Sequence, residues 1–241
     1  MRFYIADCHF FHESLNVQMD NRGFQNVADM NARMLERWND RVRAKDEVVI
    51  LGDLSLGNAE ETNELLAKLH GRLFLIRGNH DYYGKKSGFT ADRFEWIRDY
   101  AELHDENRKV VLCHYPIMFY NRQYQYRQPK TGGLDRFQDG QLTDRDNLPK
   151  HTWMLYGHVH NTTDELLMRR FIFETRNTTR TDREGVLYHI PCQMINCFCM
   201  FSDYVPLTLT EWIENDRKRQ ERYESTMRTM PSASEGSSPV F

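Results

Sequence analysis

Five short apolar segments of this chain each run directly into a cluster of Asp, His or Asn residues. The segments cover residues 2–6, 47–51, 72–76, 110–113 and 153–156. Apolar runs of this length, bounded by polar residues, are typical of buried β-strands. Ligand sites in α/β sheets form where strands end and loops begin. The pattern therefore predicts a sheet structure in which five strand ends meet at one pocket.

Amphipathic segments between the first strands favour helices. Residues 26–42 place apolar side chains at spacings of three and four, with charged residues between them. Residues 59–69 repeat this spacing, and residues 89–100 show a weaker form of it. The alternation of strand and helix predicts an α/β domain in the first half of the chain.

The alternation of strand and helix patterns does not continue in the second half of the chain. Residues 185–190 and 194–201 resemble paired strands, which predicts a mixed sheet or a second sheet packed on the first. Residues 209–223 are typical of a closing helix. A chain of 241 residues is near the upper limit for one hydrophobic core, so we expect a single domain over residues 1–226. The Ser- and Pro-rich end predicts a flexible tail over residues 227–241.

Composition narrows the classes of function. The formal charge of -3 provides no global basic field for non-specific nucleic-acid binding. We expect no membrane partner, because no run approaches the ~20 apolar residues of a membrane span. The five cysteines and the polar amino-terminal segment favour free thiols and a cytoplasmic location.

The polar clusters contain metal-competent side chains in a regular arrangement. In chain order they are Asp7-Cys8-His9, Gly52-Asp53, Gly78-Asn79-His80-Asp81, Cys113-His114 and Gly157-His158-Val159-His160. Side chains two positions apart on an extended segment point the same way. Asp7 and His9 are therefore expected to face the pocket together, as are His158 and His160.

Carboxylate, imidazole and amide oxygen donors suit first-row divalent cations, and the pattern does not require thiolates. A carboxylate can also bridge two such ions. Two ions ~3.5–4 Å apart can hold the attacking and leaving oxygens of a phosphoryl displacement. The donor set thus predicts a dinuclear centre with a metal-bridging hydroxide as the nucleophile.

The ordered motifs resemble those of the calcineurin-like metallophosphoesterases, which are D-x-H, G-D, G-N-H-D or G-N-H-E, a lone His, and G-H-x-H. The resemblance covers roughly residues 5–160, and the surroundings of Asp7 and His114 look like the small bacterial and phage-type members. Members often have Ser or Thr at the positions of Cys8 and Cys113. The resemblance implies an α/β fold of two mixed β-sheets, packed as a sandwich and flanked by helices in four layers (αββα).

The resemblance also implies roles for individual residues. Seven side chains would form the metal centre: Asp7, His9 and His160 for one ion, Asn79, His114 and His158 for the other, and Asp53 as the bridge. His80 would stabilise charge on the phosphoryl group or protonate the leaving oxygen, and Asp81 would orient it.

Simpler interpretations exist for single residues. A lone His in an apolar strand, such as His114, is more often a hydrogen-bonded core residue than a ligand. Asp53 could cap the helix that begins near residue 59. His80 and Asp81 could form a purely structural pair. The ordered set of motifs outweighs these interpretations, because each of them explains only one cluster.

Substrate contacts are predicted from weaker signals. Residues 119–149 lack helical or strand periodicity, and unstructured insertions of that size are usually functional or disordered. Basic and aromatic residues at Arg122, Tyr124 and Arg127 could hold phosphates or stack on bases, although a solvated loop explains them equally well. His12 and Arg22 are further candidates near the pocket.

These observations favour a metal-dependent hydrolase of phosphate esters. We expect a phosphodiesterase with two divalent ions, chosen from manganese, iron, zinc or nickel, and a substrate that is slightly favoured to be nucleotide-like. Nucleic acid is expected only as a substrate. A phosphomonoesterase, a protein phosphatase and a non-catalytic binding module for nucleic acid or protein remain alternatives. A missing metal ligand would indicate the binding module, whereas every motif position is filled. The oligomeric state stays open.

Overall fold

The computed structural model describes residues 1–82, 87–123, 151–181, 185 and 187–229. Its elements follow in the order β1 (Arg2–Ile5), α1 (Glu13–Val17), α2 (Val27–Arg41), β2 (Glu47–Ile50), α3 (Ala59–Lys68), β3 (Arg72–Ile76), β4 (Phe94–Arg98), β5 (Tyr100–Asp105), β6 (Arg108–Cys113), β7 (Trp153–Tyr156), α4 (Thr163–Asn177), β8 (Thr179–Thr181), β9 (Leu187–His189), β10 (Met194–Asn196), a short 3-10 helix (Cys199–Ser202) and α5 (Leu209–Thr229).

Two four-stranded sheets form the centre of the fold. The first has the order β1-β2-β3-β4, and all its neighbouring strands are parallel. The second has the order β10-β7-β6-β5, in which only β5 runs antiparallel to its neighbour. Strands β8 and β9 form a separate antiparallel pair.

Alternating side chains of these strands divide the interior into three apolar layers. Phe3 and Ile5 of β1 pack with helices α2 and α3, whereas Tyr4 of the same strand lies between the two sheets. On the outer face of the second sheet, Met154 of β7 packs with Ile172 of α4. Because the strands of the parallel sheet are buried on both faces, their sequences read as continuous apolar runs. The predicted four-layer αββα sandwich is confirmed.

Local sequence explains where the first helices begin. The side chain of Asn26 accepts a hydrogen bond from the Asp29 backbone N–H at the start of α2. Asn58 and Glu61 form a reciprocal capping box at the start of α3, which satisfies backbone N–H groups that have no partner within the helix. These caps agree with the predicted helix starts near residues 26 and 59.

One predicted helix is wrong. Residues 89–100 contain strand β4, whose pairing with β3 shifts register between Leu73 and Phe74. This irregularity brings Phe94 and Ile97, which are three residues apart, to the same apolar layer, while Trp96 packs in the layer between the sheets. A β-bulge changes the period of a strand in this way, so the spacing resembled that of a helix.

The pairing predicted for the second half is also wrong. β9 pairs with β8, and β10 joins β7 as a parallel neighbour.

Helix α4 was not predicted. Helix α5 extends to Thr229, beyond the predicted end at residue 223, and includes the first residues assigned to a tail. The rest of the predicted tail, residues 230–241, lies outside the described residues, and the single domain over 1–226 stays a prediction.

Within the described part of the chain, no helix combines the length and apolar character needed to cross a membrane.

Candidate metal centre

The carboxyl ends of five strands lead into the loops that carry the predicted site residues. β1, β2 and β3 belong to the first sheet, and β6 and β7 belong to the second. The two sheets are joined at this end, because the Ala6 N–H donates to the Cys197 carbonyl and the Cys199 N–H donates to the Ala6 carbonyl, at 2.8 and 3.0 Å. The strand ends therefore meet, as the sequence pattern predicts.

The backbone at the site differs from the extended segments that were expected. Five of the residues have left-handed backbone angles, with φ values of 53° at Asp7, 48° at His9, 54° at Asp53, 73° at His158 and 48° at His160. Non-glycine residues with such angles are uncommon and cost about 1–3 kcal/mol each. The pairs two residues apart thus converge through left-handed turns, while Cys8 and Val159 between them enter the apolar layers.

Asp7, His9 and His160 form a buried cluster, which we call the first donor group. Their ligand atoms all lie within 4.8 Å of one another. His9 Nε2 is 3.2 Å from His160 Nε2, and His160 Nε2 is 3.8 Å from Asp7 Oδ1. Both Asp7 oxygens accept the backbone N–H of His158, at 3.0 and 3.1 Å. The group therefore joins the ends of β1 and β7.

Asn79, His114 and His158 form the second donor group. Asn79 Oδ1 lies 2.9 Å from His114 Nε2 and 2.9 Å from His158 Nδ1. His114 Nδ1 lies 2.8 Å from the Leu51 carbonyl oxygen, and it must carry a proton because that oxygen can only accept. His114 Nε2 therefore faces the second group. His114 is buried, whereas His158 is exposed.

Asp53 lies between the two groups. Its Oδ2 is 3.6 Å from His9 Nε2 and 3.5 Å from His114 Nε2. Its other oxygen, Oδ1, accepts the backbone N–H of His80 at 2.8 Å. Burial alone would raise the pKa of Asp53, but the hydrogen bond and charge of His114, with the charge of His9, lower it to about 2.

Burial and neighbouring carboxylates shift the pKa values of three residues of the site. Burial raises the pKa of Asp7 to about 6, although His160 and His114 oppose that rise. Burial lowers the pKa of His9 to about 2. For His114, burial is outweighed by the carboxylates of Asp53 and Asp7, which raise its pKa to about 9. One imidazole thus holds a proton that a cation could replace.

The donors present fit divalent cations. Asp7, Asp53 and His114 also place ligand atoms within 4.8 Å of one another. The two carboxylates therefore lie close to His114 of the second group as well as to the first group. His9 Nδ1 is buried and has no hydrogen-bond partner among the described residues. Imidazole, carboxylate and amide oxygen are the ligands that first-row cations accept.

His80 lies exposed beside the first donor group. Its ring centroid is 5.4 Å from that of His9, and the ring of His12 is 6.4 Å from that of His80. His12 is also 5.4 Å from His9. The structure therefore brings His80 and His12 to the face of the donor groups that solvent reaches.

The predicted role of Asp81 needs correction. Its two oxygens accept backbone N–H groups of Gly78, Asp53 and Leu54, at 2.7, 2.9 and 3.1 Å. Burial raises the pKa of this carboxyl despite these donors. Asp81 thus ties the loop after β3 to the loop after β2, and its oxygens are engaged with the backbone rather than with the His80 ring.

The predicted phosphate contact of Arg22 also needs correction. Its side chain is buried, and its N–H groups donate to Asp20 and to the carbonyl oxygens of Asp7 and Cys8. A guanidinium used in this way is not free to meet a phosphate. Its function here is to hold the loop that carries Asp7.

The remaining predicted substrate contacts are only partly described. Arg122 is exposed in a turn whose neighbours, Asn121 and Gln123, donate to the side chain of Glu102 and the carbonyl of Pro191. Tyr124 and Arg127 lie outside the described residues, as does most of the 119–149 segment. These three contacts stay predictions.

Sequence reasoning missed Asp20. Its Oδ1 lies 2.8 Å from His160 Nδ1. Burial would raise the pKa of Asp20, but the hydrogen bonds and charges of His160 and Arg22 keep it below its ordinary value. Asp20 belongs to none of the motifs, and the only local signal is its position two residues before Arg22. Tyr115 was missed as well, although its ring centroid lies 4.6 Å from that of His158.

Glycines allow the loops to approach one another. A Cβ at Gly52, where φ is +93°, would lie 2.2 Å from His114 Nδ1. A Cβ at Gly78 would lie 2.1 Å from Asp53 Oδ1. Side chains at these positions would displace the donors.

Comparison with known proteins identifies a family and similar proteins. The family model described as calcineurin-like phosphoesterase matches residues 3–180. Uncharacterized protein MJ1445 of Methanocaldococcus jannaschii is 44% identical over 86 residues, which are 35% of this chain and 48% of that protein. The chain thus matches about half the length of this relative. A crystal structure of a protein of unknown function, AQ665 from Aquifex aeolicus, aligns with a TM-score of 0.49 at 22% identity, over 92% of this chain and 98% of that one.

Proposed function

The chain belongs to the calcineurin-like phosphoesterases, and we propose that it hydrolyses phosphate esters with the help of divalent metal ions. The observation that carries this proposal is the convergence of seven donor side chains from five strand ends, with Asp53 between the other six. A fold alone does not determine function, so the chemistry of the site is the relevant support.

The first and second donor groups would each hold one ion, and Asp53 would bridge them. Its Oδ2 lies at nearly equal distances from the His9 and His114 nitrogens, which supports the bridging role. Two divalent ions would supply a nucleophilic water of lowered pKa and positive charge for the phosphoryl oxygens. We propose that the ions come from manganese, iron, zinc and nickel.

His80 would act on the leaving group. It is exposed, and its ring lies next to His9, so a phosphate bound at the donor groups would come within its reach. An imidazole can donate a proton to the departing oxygen or stabilise phosphoryl charge. The backbone N–H of His80 donates to Asp53, which fixes the start of this loop relative to the donor groups.

We further propose that the substrate is a phosphodiester, with nucleotide-like esters favoured slightly. Support for a nucleotide-like ester comes from the exposed aromatic ring of Tyr115 beside His158, which offers a surface on which a base could stack. The described cysteines are all free thiols, which supports the proposed location in a reducing cytoplasm.

A substrate panel tests the proposal. The full chain, treated with a chelator, would be assayed against phosphodiesters, cyclic nucleotides, phosphomonoesters and short RNA, with Mn²⁺, Fe²⁺, Zn²⁺, Ni²⁺ or Mg²⁺ restored. We expect metal-dependent hydrolysis, fastest with a diester. Faster turnover of monoesters would replace the diesterase assignment, and metal binding without hydrolysis of any ester would favour a binding module.

A further inference from the structure

An ion pair between Asp20 and Arg22 lies buried behind the first donor group. The two side chains are 1% and 0% exposed, and Arg22 Nε and Nη2 both donate to Asp20 Oδ2, at 3.0 and 2.8 Å. Buried charges of this kind are costly unless they are paired and hydrogen-bonded. We call this pair the Asp20–Arg22 clamp.

The clamp contacts both chain segments that form the first donor group. Arg22 Nη1 donates to the Cys8 carbonyl oxygen at 2.6 Å, and Nη2 donates to that of Asp7 at 3.1 Å. Asp20 Oδ1 lies 2.8 Å from His160 Nδ1, across 140 positions of sequence. One buried ion pair therefore connects the loop after β1 with the loop after β7.

The contact with Asp20 determines which nitrogen of His160 carries the proton. A carboxylate accepts but does not donate, so Nδ1 must be the protonated nitrogen. In the neutral ring, Nε2 then keeps its lone pair, and it faces Asp7 Oδ1 and His9 Nε2. This is the tautomer that a metal-binding imidazole needs on that side.

We propose that Asp20, held in place by Arg22, is a positioning residue that sets the tautomer and orientation of His160 and thereby strengthens cation binding at the first donor group. A carboxylate bonded to the far nitrogen of a metal-binding imidazole fixes the ring and increases its basicity. The inference rests on the proposed function only in treating that group as a metal site.

The far nitrogen of His114, in the second donor group, has no carboxylate within hydrogen-bond distance among the described residues, since Asp7 Oδ1 is 3.9 Å away. There, the far nitrogen of His114 contacts the backbone carbonyl of Leu51, which carries no formal charge. Removal of Asp20 should therefore affect one of two cation sites and spare the other.

Calorimetric titration with Zn²⁺ alone tests this difference. The chelator-treated full chain should show two binding events, and Asp20→Ala should weaken one of them by roughly 10–100-fold while leaving the other unchanged. Asp46→Ala is the matched control. Asp46 is also buried and accepts from the N-terminal amino group, but it precedes β2 at the opposite end of the sheet, so both events should persist. Unchanged events in Asp20→Ala, or equal weakening of both, would overturn the proposal.

The tautomer provides a readout that does not depend on activity. Nitrogen-15 NMR of the imidazoles should show His160 protonated at Nδ1 in the metal-free parent, and this preference should be lost in Asp20→Ala. If that variant does not fold, Asp20→Asn keeps the volume without the charge and should weaken the same Zn²⁺ event. A parent chain with His160 protonated at Nε2 would refute the positioning role.

The two proposals can fail separately. A parent that binds two Zn²⁺ ions but hydrolyses no ester would overturn the proposed function and leave the role of Asp20 supported by its binding data. A parent that binds no Zn²⁺ would overturn both.

Discussion

The two donor groups differ in how the protein holds them. In the first group, Asp7, His9 and His160 are all buried, and the ring of Phe198 lies 4.7 Å from that of His160. In the second group, His158 is exposed, and the ring beside it, Tyr115, is 46% exposed. The comparison indicates that the first group is assembled by internal contacts, whereas the second is open to solvent at His158.

The difference between the two groups has a physical basis in the hydrogen bonds that hold their histidines on the side away from the donor atoms. Behind the first, the Asp20–Arg22 clamp and the carbonyl groups of the β1 loop provide charged hydrogen bonds in a region without solvent. Such bonds are stronger than neutral ones. Behind the second, His114 relies on a backbone carbonyl. Four substitutions test this difference between the two groups, and they are given in order of decreasing expected effect.

Asp53→Asn removes the carboxylate that both groups share. An amide is a poor bridge between two cations, so kcat should fall by about 10⁴-fold or more, and metal content measured by atomic spectroscopy should fall with it. Because the volume is conserved, thermal unfolding should remain cooperative. The control is Asp203→Asn, which changes an exposed carboxylate paired with Arg37. Parent-like turnover at saturating metal would contradict the bridging role.

His80→Ala tests the solvent-exposed face of the donor groups and removes none of the seven donor side chains. The rate on alkyl or ribose esters should fall by roughly 10²–10⁴-fold, the usual contribution of acid-base help, while metal content stays at the parent level. Nitrophenyl esters need no proton on the leaving group, so the variant should recover much of its rate on them. An equal loss on both ester classes would assign His80 to phosphoryl charge instead of protonation.

Gly52→Ala tests how tightly the loop after β2 packs against His114 of the second group. The new Cβ would lie 2.2 Å from His114 Nδ1, so we expect a loss of unfolding free energy of roughly 1–3 kcal/mol from overpacking, measured by urea denaturation. Gly88→Ala is a matched control. It has a similar positive φ of +87° but meets no atom within 4 Å, so it reports backbone strain alone. Equal losses in both variants would show that His114 yields without cost.

His12→Ala should have the smallest effect of the four. Its ring is near His9 and His80, yet it belongs to neither donor group. We propose that His12 donates to the substrate phosphate, so loss of that hydrogen bond should raise KM by roughly tenfold and leave kcat and metal content unchanged. His104→Ala, an exposed histidine of β5, is the control. A fall in metal content would instead place His12 among the cation ligands.

Much of the fold could be predicted from local patterns. The strands β3 and β7 have the predicted bounds, helix α2 is one residue shorter than predicted at each end, and helix α3 is one residue shorter at its carboxyl end. Their periodicity lies within one segment, so no knowledge of distant residues is needed. The error at β4 arose where the register with β3 is irregular, and that irregularity is a property of two strands together.

The sequence also predicted which side chains would gather, although their roles as ligands remain predictions. Motifs at five strand ends sufficed, because parallel strands place their carboxyl ends at one edge of a sheet. The sequence could not indicate that Asp7, His9 and Asp53 adopt left-handed angles. Those angles persist only because the surrounding loops hold them, as when the His9 N–H donates to the Asp53 carbonyl.

Local sequence specifies the family motifs, the positions of most strands along the chain and the chemical types of the donors, since each depends on neighbouring residues. The partners of the charged side chains that support the site depend on the folded structure. Asp81 accepts backbone N–H groups of two loops, Arg22 donates to Asp20 and to the carbonyl oxygens of the β1 loop, and Asp20 contacts His160. A buried charge binds whichever partner the fold brings within about 3 Å, and that partner can be more than a hundred residues away.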